Sequence, residues 1–147
     1  FGIDVGTVRI GLAKSDPGGL LATPVRTLPR EVDGSDKQLI AAAVAEQKTA
    51  VVYVGYPLNM DGTAGESAAD ARAYAEAIAK LVAPVPVRLV DERLSTVSAH
   101  RALHAAGRAS RNHRSVVDQV AAVTILQAAL DAEASGSAVG ELIEESL

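Results

Sequence analysis

Three stretches of this sequence carry acids whose surroundings call for a chemical reason. In Gly-Ile-Asp-Val-Gly-Thr (Gly2–Thr7), Asp4 stands in a short β-type run between Ile3 and Val5. An ionised carboxylate among apolar neighbours needs a partner, and a divalent cation, which takes hard oxygen ligands, is one. A second reading makes the same stretch a hairpin that cradles nucleotide phosphates. A third turns Asp4 outward, its alternation with Ile3 and Val5 marking only the solvent face. In Asp-Glu-Arg-Leu-Ser-Thr (Asp91–Thr96), two adjacent acids lie where a strand gives way to a helix. Adjacent strand residues point to opposite faces, so one of Asp91 and Glu92 at most shares a site with Asp4. The plainer alternative is a pair of acids favoured by the N-terminal dipole of the helix that starts near Thr96.

The third stretch is Ser115-Val116-Val117-Asp118. Its capping-box spacing would put Asp118 at the third position of the last helix. Yet Ala121, Ala122 and Ile125 continue its face, and a carboxylate heading an apolar stripe needs compensation. Cap and metal ligand are compatible roles. Other chemistries lack support. His100 and His104 share a helix face without a zinc-site motif and belong with the basic surface. No nucleophile elbow and no Walker-type loop is present. With no cysteine in 147 residues, disulfides and thiolate metal sites are excluded.

The elements that must position these acids follow from pattern and punctuation. Gly2–Gly6 and Arg9–Ser15 form a hairpin around Gly6-Thr7. Leu20–Leu28 is a third strand, placed at a sheet edge by Pro24, which cannot donate to a ladder. A helix starts at Ser35, with Gln38 completing a capping box and Leu39, Ala43 and Val44 facing inward. Ala50–Gly55 is a continuous apolar run, as for a strand buried on both faces. After the Pro57–Gly65 loop, a helix buries Ala71, Tyr74, Ala75, Ile78 and Leu81. Pro84 and Pro86 end it before strand Val87–Val90. A further helix ends near Gly107, and 108–114 is polar, basic and expected to move. The last helix spans about Val116 to Glu133, apolar on two stripes and therefore well buried. This order predicts an α/β fold: a mixed sheet of five strands with helices on both faces.

Composition bounds the rest. Hydrophobic residues make up 48% and aromatics 3%, which suits alanine-rich helices packed on a sheet. One domain over 1–134 and a flexible acidic tail over 135–147 are expected. The net charge of −4 conceals an uneven distribution. Asp131, Glu133, Glu141, Glu144 and Glu145 crowd the end, and without them 14 bases face 13 acids. Arg88 to Arg114 holds six of the 14 bases and all three histidines, a surface able to face phosphates or simply a solvated basic face. No apolar run spans a bilayer and no signal peptide is visible, so a cytoplasmic address is expected. Phe1 opens inside a strand, and we expect native residues before it.

Taken in order, the motifs resemble the YqgF/RuvX family of pre-16S rRNA nuclease and Holliday-junction resolvase-like proteins. The matching stretches are Gly2–Ala13, Val54–Thr63, Asp91–Thr96 and Val117–Leu126, and the resemblance spans Gly2 to about Ala129. It implies a ribonuclease H-like domain whose acids come from the first strand, a middle strand end and the last helix. By motif these are Asp4, Glu92 and Asp118, as catalytic residues and metal ligands. Gln119 follows Asp118 where resolvases of this fold often carry another acid, which leaves three ligands. Two Mg²⁺ or Mn²⁺ ions about 4 Å apart would relieve the repulsion of converging carboxylates and drive in-line phosphodiester hydrolysis.

The partner implied is nucleic acid: structured RNA, with trimming of the 5′ end of pre-16S rRNA in ribosome biogenesis as the leading function. Arg93, Arg101, Arg108, Arg111 and Arg114 would bind backbone phosphates. Resolution of four-way DNA junctions uses the same chemistry and would ask for a homodimer, because two strands are cut on a two-fold substrate. A non-catalytic nucleic-acid-binding module is a third reading. An ATPase fragment would need a second phosphate hairpin and a much longer chain. Asn59 and Asp61 either line the cleft or form an ordinary turn.

Overall fold

In a computed structural model of the chain, residues 1–59, 61–92, 113–136 and 140–143 are described, those of 113–118 by their helical backbone. The elements are β1 (Gly2–Val5), β2 (Arg9–Ser15), β3 (Ala22–Pro29), α1 (Ser35–Glu46), β4 (Val52–Tyr56), α2 (Glu66–Val82), β5 (Val87–Asp91), α3 (His113–Ala134) and β6 (Glu141–Ile143). The strands form one mixed sheet in the order β3-β2-β1-β4-β5-β6. β1, β4 and β5 are parallel, and β2, β3 and β6 are antiparallel to their neighbours. Pro24 does lie on an edge strand, with the ladder register shifting beside it between Leu12 and Ala13.

The sheet separates two cores. Ile3, Ile10, Leu12, Val54 and Leu89 point to α1 and α2, meeting Ile40, Tyr74 and Ile78. Ala13, Tyr53 and Val90 point the other way, to Ala122, Ile125, Leu126 and Ala129 of α3. Helices therefore cover both faces, as the element order predicts.

Four local expectations are corrected. The sheet has six strands rather than five, because Glu141–Ile143 pairs with β5 and buries Ile143. Helix α1 is not opened by a Ser35 capping box. Its N-cap is Gly34 in the left-handed region at φ 81, and the Asp33 carboxylate accepts the Ser35 N–H at 2.9 Å. The inward face of α1 is Asp36, Ile40 and Val44, while Leu39 is 49% exposed. In α2, Val82 and Ala79 are buried and Leu81 is turned out. Both slips arise in alanine-rich helices, where alanines fit either face and the periodicity is weak.

Candidate active site

The first acid is positioned by a ladder to β2, and the residues before it pair with β4 on the other side. Asp4 is opposite Gly11 of β2, and Gly2 and Ile3 pair with Tyr53 and Val54 of β4, which brings Gly55 next in line beside Asp4. The face it shares is settled by its neighbours. A side chain at Gly2 would run into Leu126 Cβ at 2.7 Å and the Ala122 carbonyl at 2.9 Å, so Gly2 looks at α3. Asp4, two residues on, looks the same way. The reading of Asp4 as a solvent-facing strand residue does not fit this: it is half-buried, on the face covered by α3.

Glu92 reaches the same place from β5. Gly55 pairs with Val90, and Tyr56 with Asp91. Val90 packs in the α3-side core; Asp91, by alternation, belongs to the opposite face of the strand. Glu92 follows directly, and its carboxylate lies over Gly55: a Cβ on Gly55 would overlap Glu92 Oε1, and would come within 2.5 Å of Ile125 Cδ1. The carboxylate thus occupies the space a side chain at position 55 would fill. Although β5 lies two strands from β1, the carboxylate over Gly55 stands only one strand spacing, roughly 4.8 Å, from the column of Asp4. Burial pushes the Glu92 carboxyl above its ordinary range, and the charge of Asp91 adds to the rise.

Helix α3 runs antiparallel to β1, an orientation anchored by two glutamines. Gln119 Nε2 donates to Thr27 Oγ1 at 3.2 Å, and Thr27 pairs with Gly11 in the row of Asp4. Eight residues later, Gln127 accepts from the Ala22 N–H and donates to the Leu20 carbonyl, both at 2.9 Å, at the other end of β3. Residue 118 lies one turn before Ala122. Four helical residues advance about 6 Å and two strand residues about 6.6 Å. The backbone of residue 118 therefore stands over Asp4 as that of Ala122 stands over Gly2. With the helix beginning at His113, position 118 lies beyond its first turn, so a cap at the third position is not the geometry found.

Asp4 and Glu92 thus lie at the carboxyl ends of the parallel strands, where open α/β sheets place their ligands, with the backbone of residue 118 on the helix that covers them. The side chains of Asp118 and Arg114 lie outside the described residues, as do Arg93, Arg101, Arg108, Arg111, His100 and His104. Among the described residues, no group of three His, Cys, Asp or Glu side chains is placed to hold a metal; Asp4 and Glu92 are a pair. That pair nonetheless fits a divalent cation. Both donors are hard oxygens, and burial has raised the cost of ionising Glu92, which a cation would offset.

The loop after β4 has the turn geometry that its Asp61-Gly62 pair suggests. Asp61 Oδ1 accepts the Thr63 N–H at 3.0 Å and its hydroxyl at 2.6 Å, and Asn59 donates to Thr63 Oγ1. With Gly62 at φ 89, residues 59 and 61–63 form a turn that is exposed at its surface. Sequence reasoning overlooked Gly55, whose bare backbone makes room for Glu92. It also overlooked Arg30, which bonds the turn after β1 to α2. No local pattern marks either residue, since each matters through a partner distant in sequence.

Comparison with known proteins agrees with this architecture. The model of the family described as "RuvX: Holliday junction resolvase" matches residues 1–132. A protein of Kineococcus radiotolerans named "Putative pre-16S rRNA nuclease" is 52% identical over 143 residues, covering 96% of this chain and 76% of its own. Relatives with the same name include one from Clavibacter michiganensis, 54% identical over 96% of this chain and 88% of its own. Another, from Mycobacterium ulcerans, is 53% identical over 89% of this chain and 77% of its own. Among solved structures, Thermus thermophilus RuvC in complex with a Holliday junction substrate superposes with a TM-score of 0.66 at 16% identity. That match covers 95% of this chain and 97% of RuvC. The fold is ribonuclease H-like.

Proposed function

This chain belongs to the RuvX family, and from that membership we propose that it is a divalent-metal-dependent nuclease that processes the 5′ end of pre-16S rRNA. The observation that carries the reading is the meeting of Asp4 and Glu92 on one face of the sheet, at its carboxyl end, under the first turns of α3. Asp4, Glu92 and Asp118 are the residues that would hold the metal. Cations bound there would supply an activated water and neutralise the leaving 3′-oxygen, so no side chain has to act as nucleophile. The protein's own contribution is placement. β1 is paired with β2 through Asp4 and with β4 through Ile3, which fixes the strand that carries Asp4. Gly55 gives Glu92 its seat, with Ile125 Cδ1 against the same space. Arg93, Arg101, Arg108, Arg111 and Arg114 are the proposed phosphate contacts of the basic segment.

A second reading, cleavage of four-way DNA junctions by a homodimer, draws on the description of the family model and on the junction-bound RuvC relative. Cleavage of a precursor 16S 5′ fragment and of a four-way DNA junction, side by side, separates the two. We expect RNA cleavage with Mg²⁺ or Mn²⁺, none in EDTA, and background rates for Asp4→Asn and Asp118→Asn. Preferential cutting of the junction would replace the RNA reading with the resolvase one. Binding without cutting under every condition would overturn both and leave a binding module.

A further inference from the structure

The turn that follows Asp4 is held far more firmly than its burial requires. Gly6 N–H donates to the Arg9 carbonyl at 2.9 Å, and the Arg30 N–H donates to the Val8 carbonyl at 2.9 Å. The Arg30 side chain adds a bond from Nη1 to the Gly6 carbonyl at 3.0 Å. Its guanidinium then forks onto Asp70 of α2, with both N–O distances 2.7 Å, and lies over the Tyr74 ring at 5.3 Å. Tyr74 in turn donates its hydroxyl to Asp36 of α1 at 2.7 Å. Two helices thus anchor a four-residue turn. Yet the tip is open: Thr7 is exposed and Val8 is 64% exposed. The Arg30 and Asp70 side chains are themselves 23% and 39% exposed, so even this bidentate pair adds only modest stability. Stability is a weak reason for such a clamp. Holding a surface ready for something that lands on it is a stronger one.

Arg9 indicates what lands. Ile10 and Leu12 point to the α1 and α2 core, and Ala13 to the α3 core, so Arg9, Gly11 and Ala13 share the face of the carboxylates. Asp4 is opposite Gly11, which makes Arg9 its diagonal cross-strand neighbour, at about 7–8 Å and within reach of a long side chain. Beside it Gly11 has no side chain, so β2 places no bulk between position 9 and Asp4. Carboxylates repel the phosphates they must approach. A guanidinium next to them offsets that repulsion and matches two phosphate oxygens at once.

We infer that the Gly6–Arg9 turn is a substrate-facing lip of the active site, in which Arg9 binds a backbone phosphate adjacent to the one cut and Arg30, locked by Asp70, positions the turn. The inference rests on the nuclease reading for the term "cut", but its binding claim is tested without cleavage. The probes are a fluorescein-labelled precursor 16S 5′ RNA and a four-way DNA junction, titrated with Asp4→Asn protein over a series of NaCl concentrations. Adding Arg9→Ala should weaken binding of the preferred probe about tenfold. It should also lower the slope of log Kd against log salt by about 0.7–0.9, the loss of one phosphate contact. Arg9→Lys should restore the slope and part of the affinity. Asp70→Asn should raise Kd several-fold with the slope unchanged. In the otherwise wild-type enzyme, each of these variants should raise KM and leave kcat within about threefold, the pattern of lost uniform binding.

Unchanged affinity and slope in Arg9→Ala would overturn the inference. So would an Asp70→Asn protein that lost only thermal stability, or the absence of binding to either probe. Should Arg9→Ala fail to fold, Arg9→Gln and Arg9→Lys carry the same comparison. Wild-type protein that binds through Arg9 but never cuts would defeat the nuclease reading and leave the lip standing; cleavage unaffected by Arg9 would do the reverse.

Discussion

Replacing Gly55 with alanine tests the site at its most crowded point. The new Cβ would overlap Glu92 Oε1 and stand 2.5 Å from Ile125 Cδ1. Carbon atoms rest at about 3.5–4.0 Å, so Ile125 must withdraw by about 1 Å, and the Glu92 carboxylate by a similar distance. Both offending atoms are ends of rotatable side chains, which puts the stability cost at the low end of overpacking, about 1 kcal/mol. For a chain of this size that is a Tm loss of about 3 °C. Catalysis should respond differently, because a displacement of about 1 Å in a positioned group costs on the order of 10²-fold in rate. The expected signature is a nearly normal melting curve, read by circular dichroism, beside a kcat on precursor RNA about a hundredfold lower. Gly55→Ala protein that cleaves within about threefold of wild type would refute the placement of Glu92 as a catalytic carboxylate. A collapse of folding would refute the claim that only side-chain tips meet the added carbon.

Other perturbations separate packing from chemistry. Gly2→Ala meets Leu126 Cβ and the Ala122 carbonyl, atoms that cannot swing away; we expect a loss of about 1–3 kcal/mol in urea denaturation, larger than for Gly55→Ala. Arg30 holds the Asp70 carboxyl below its usual 3.8, so the pair's contribution is present above that pH and disappears as pH falls through the lowered folded value. The Tm difference between wild type and Asp70→Asn, worth about 1 kcal/mol at neutral pH, should close in acid below 3.8. Glu92 has the opposite sign. Its carboxyl is raised above 4.5 by burial, so its ionisation destabilises the metal-free fold as pH rises through the raised value. In EDTA, Glu92→Gln should raise Tm at neutral pH, and the gain should vanish below 4.5; a variant equal to wild type at both ends would contradict it.

Much of the architecture is local chemistry and was legible as such. The hairpin around Gly6-Thr7, the proline-marked edge strand, the apolar run of β4 and the long apolar last helix each carry their own signal. Their order implies helices on both sides of a mixed sheet, which is the fold observed. Asp4 and Asp118 stand out in the sequence because each adjoins apolar residues, whereas Glu92, between Asp91 and Arg93, is singled out only by the family motif. Helix faces built largely of alanine were not legible: Leu39 and Ile40, or Leu81 and Val82, are separated only by what packs on them. The three-residue strand β6 has no periodicity to read, and exists because the exposed edge of β5 pairs with it.

The site itself belongs to the tertiary structure. Whether Asp91 or Glu92 faces Asp4 depends on the register of β5 against β4, and a one-residue slip would exchange them. The antiparallel course of α3, which carries residue 118 toward Asp4, shows in Ala122 and Leu126 packed on Gly2 and in Gln119 and Gln127 bonding along a strand about a hundred residues earlier. The sequence determined which acids had to be accounted for and which elements carry them. Their meeting was decided by contacts between distant segments, since a charge is a property of one residue and a distance is a property of two.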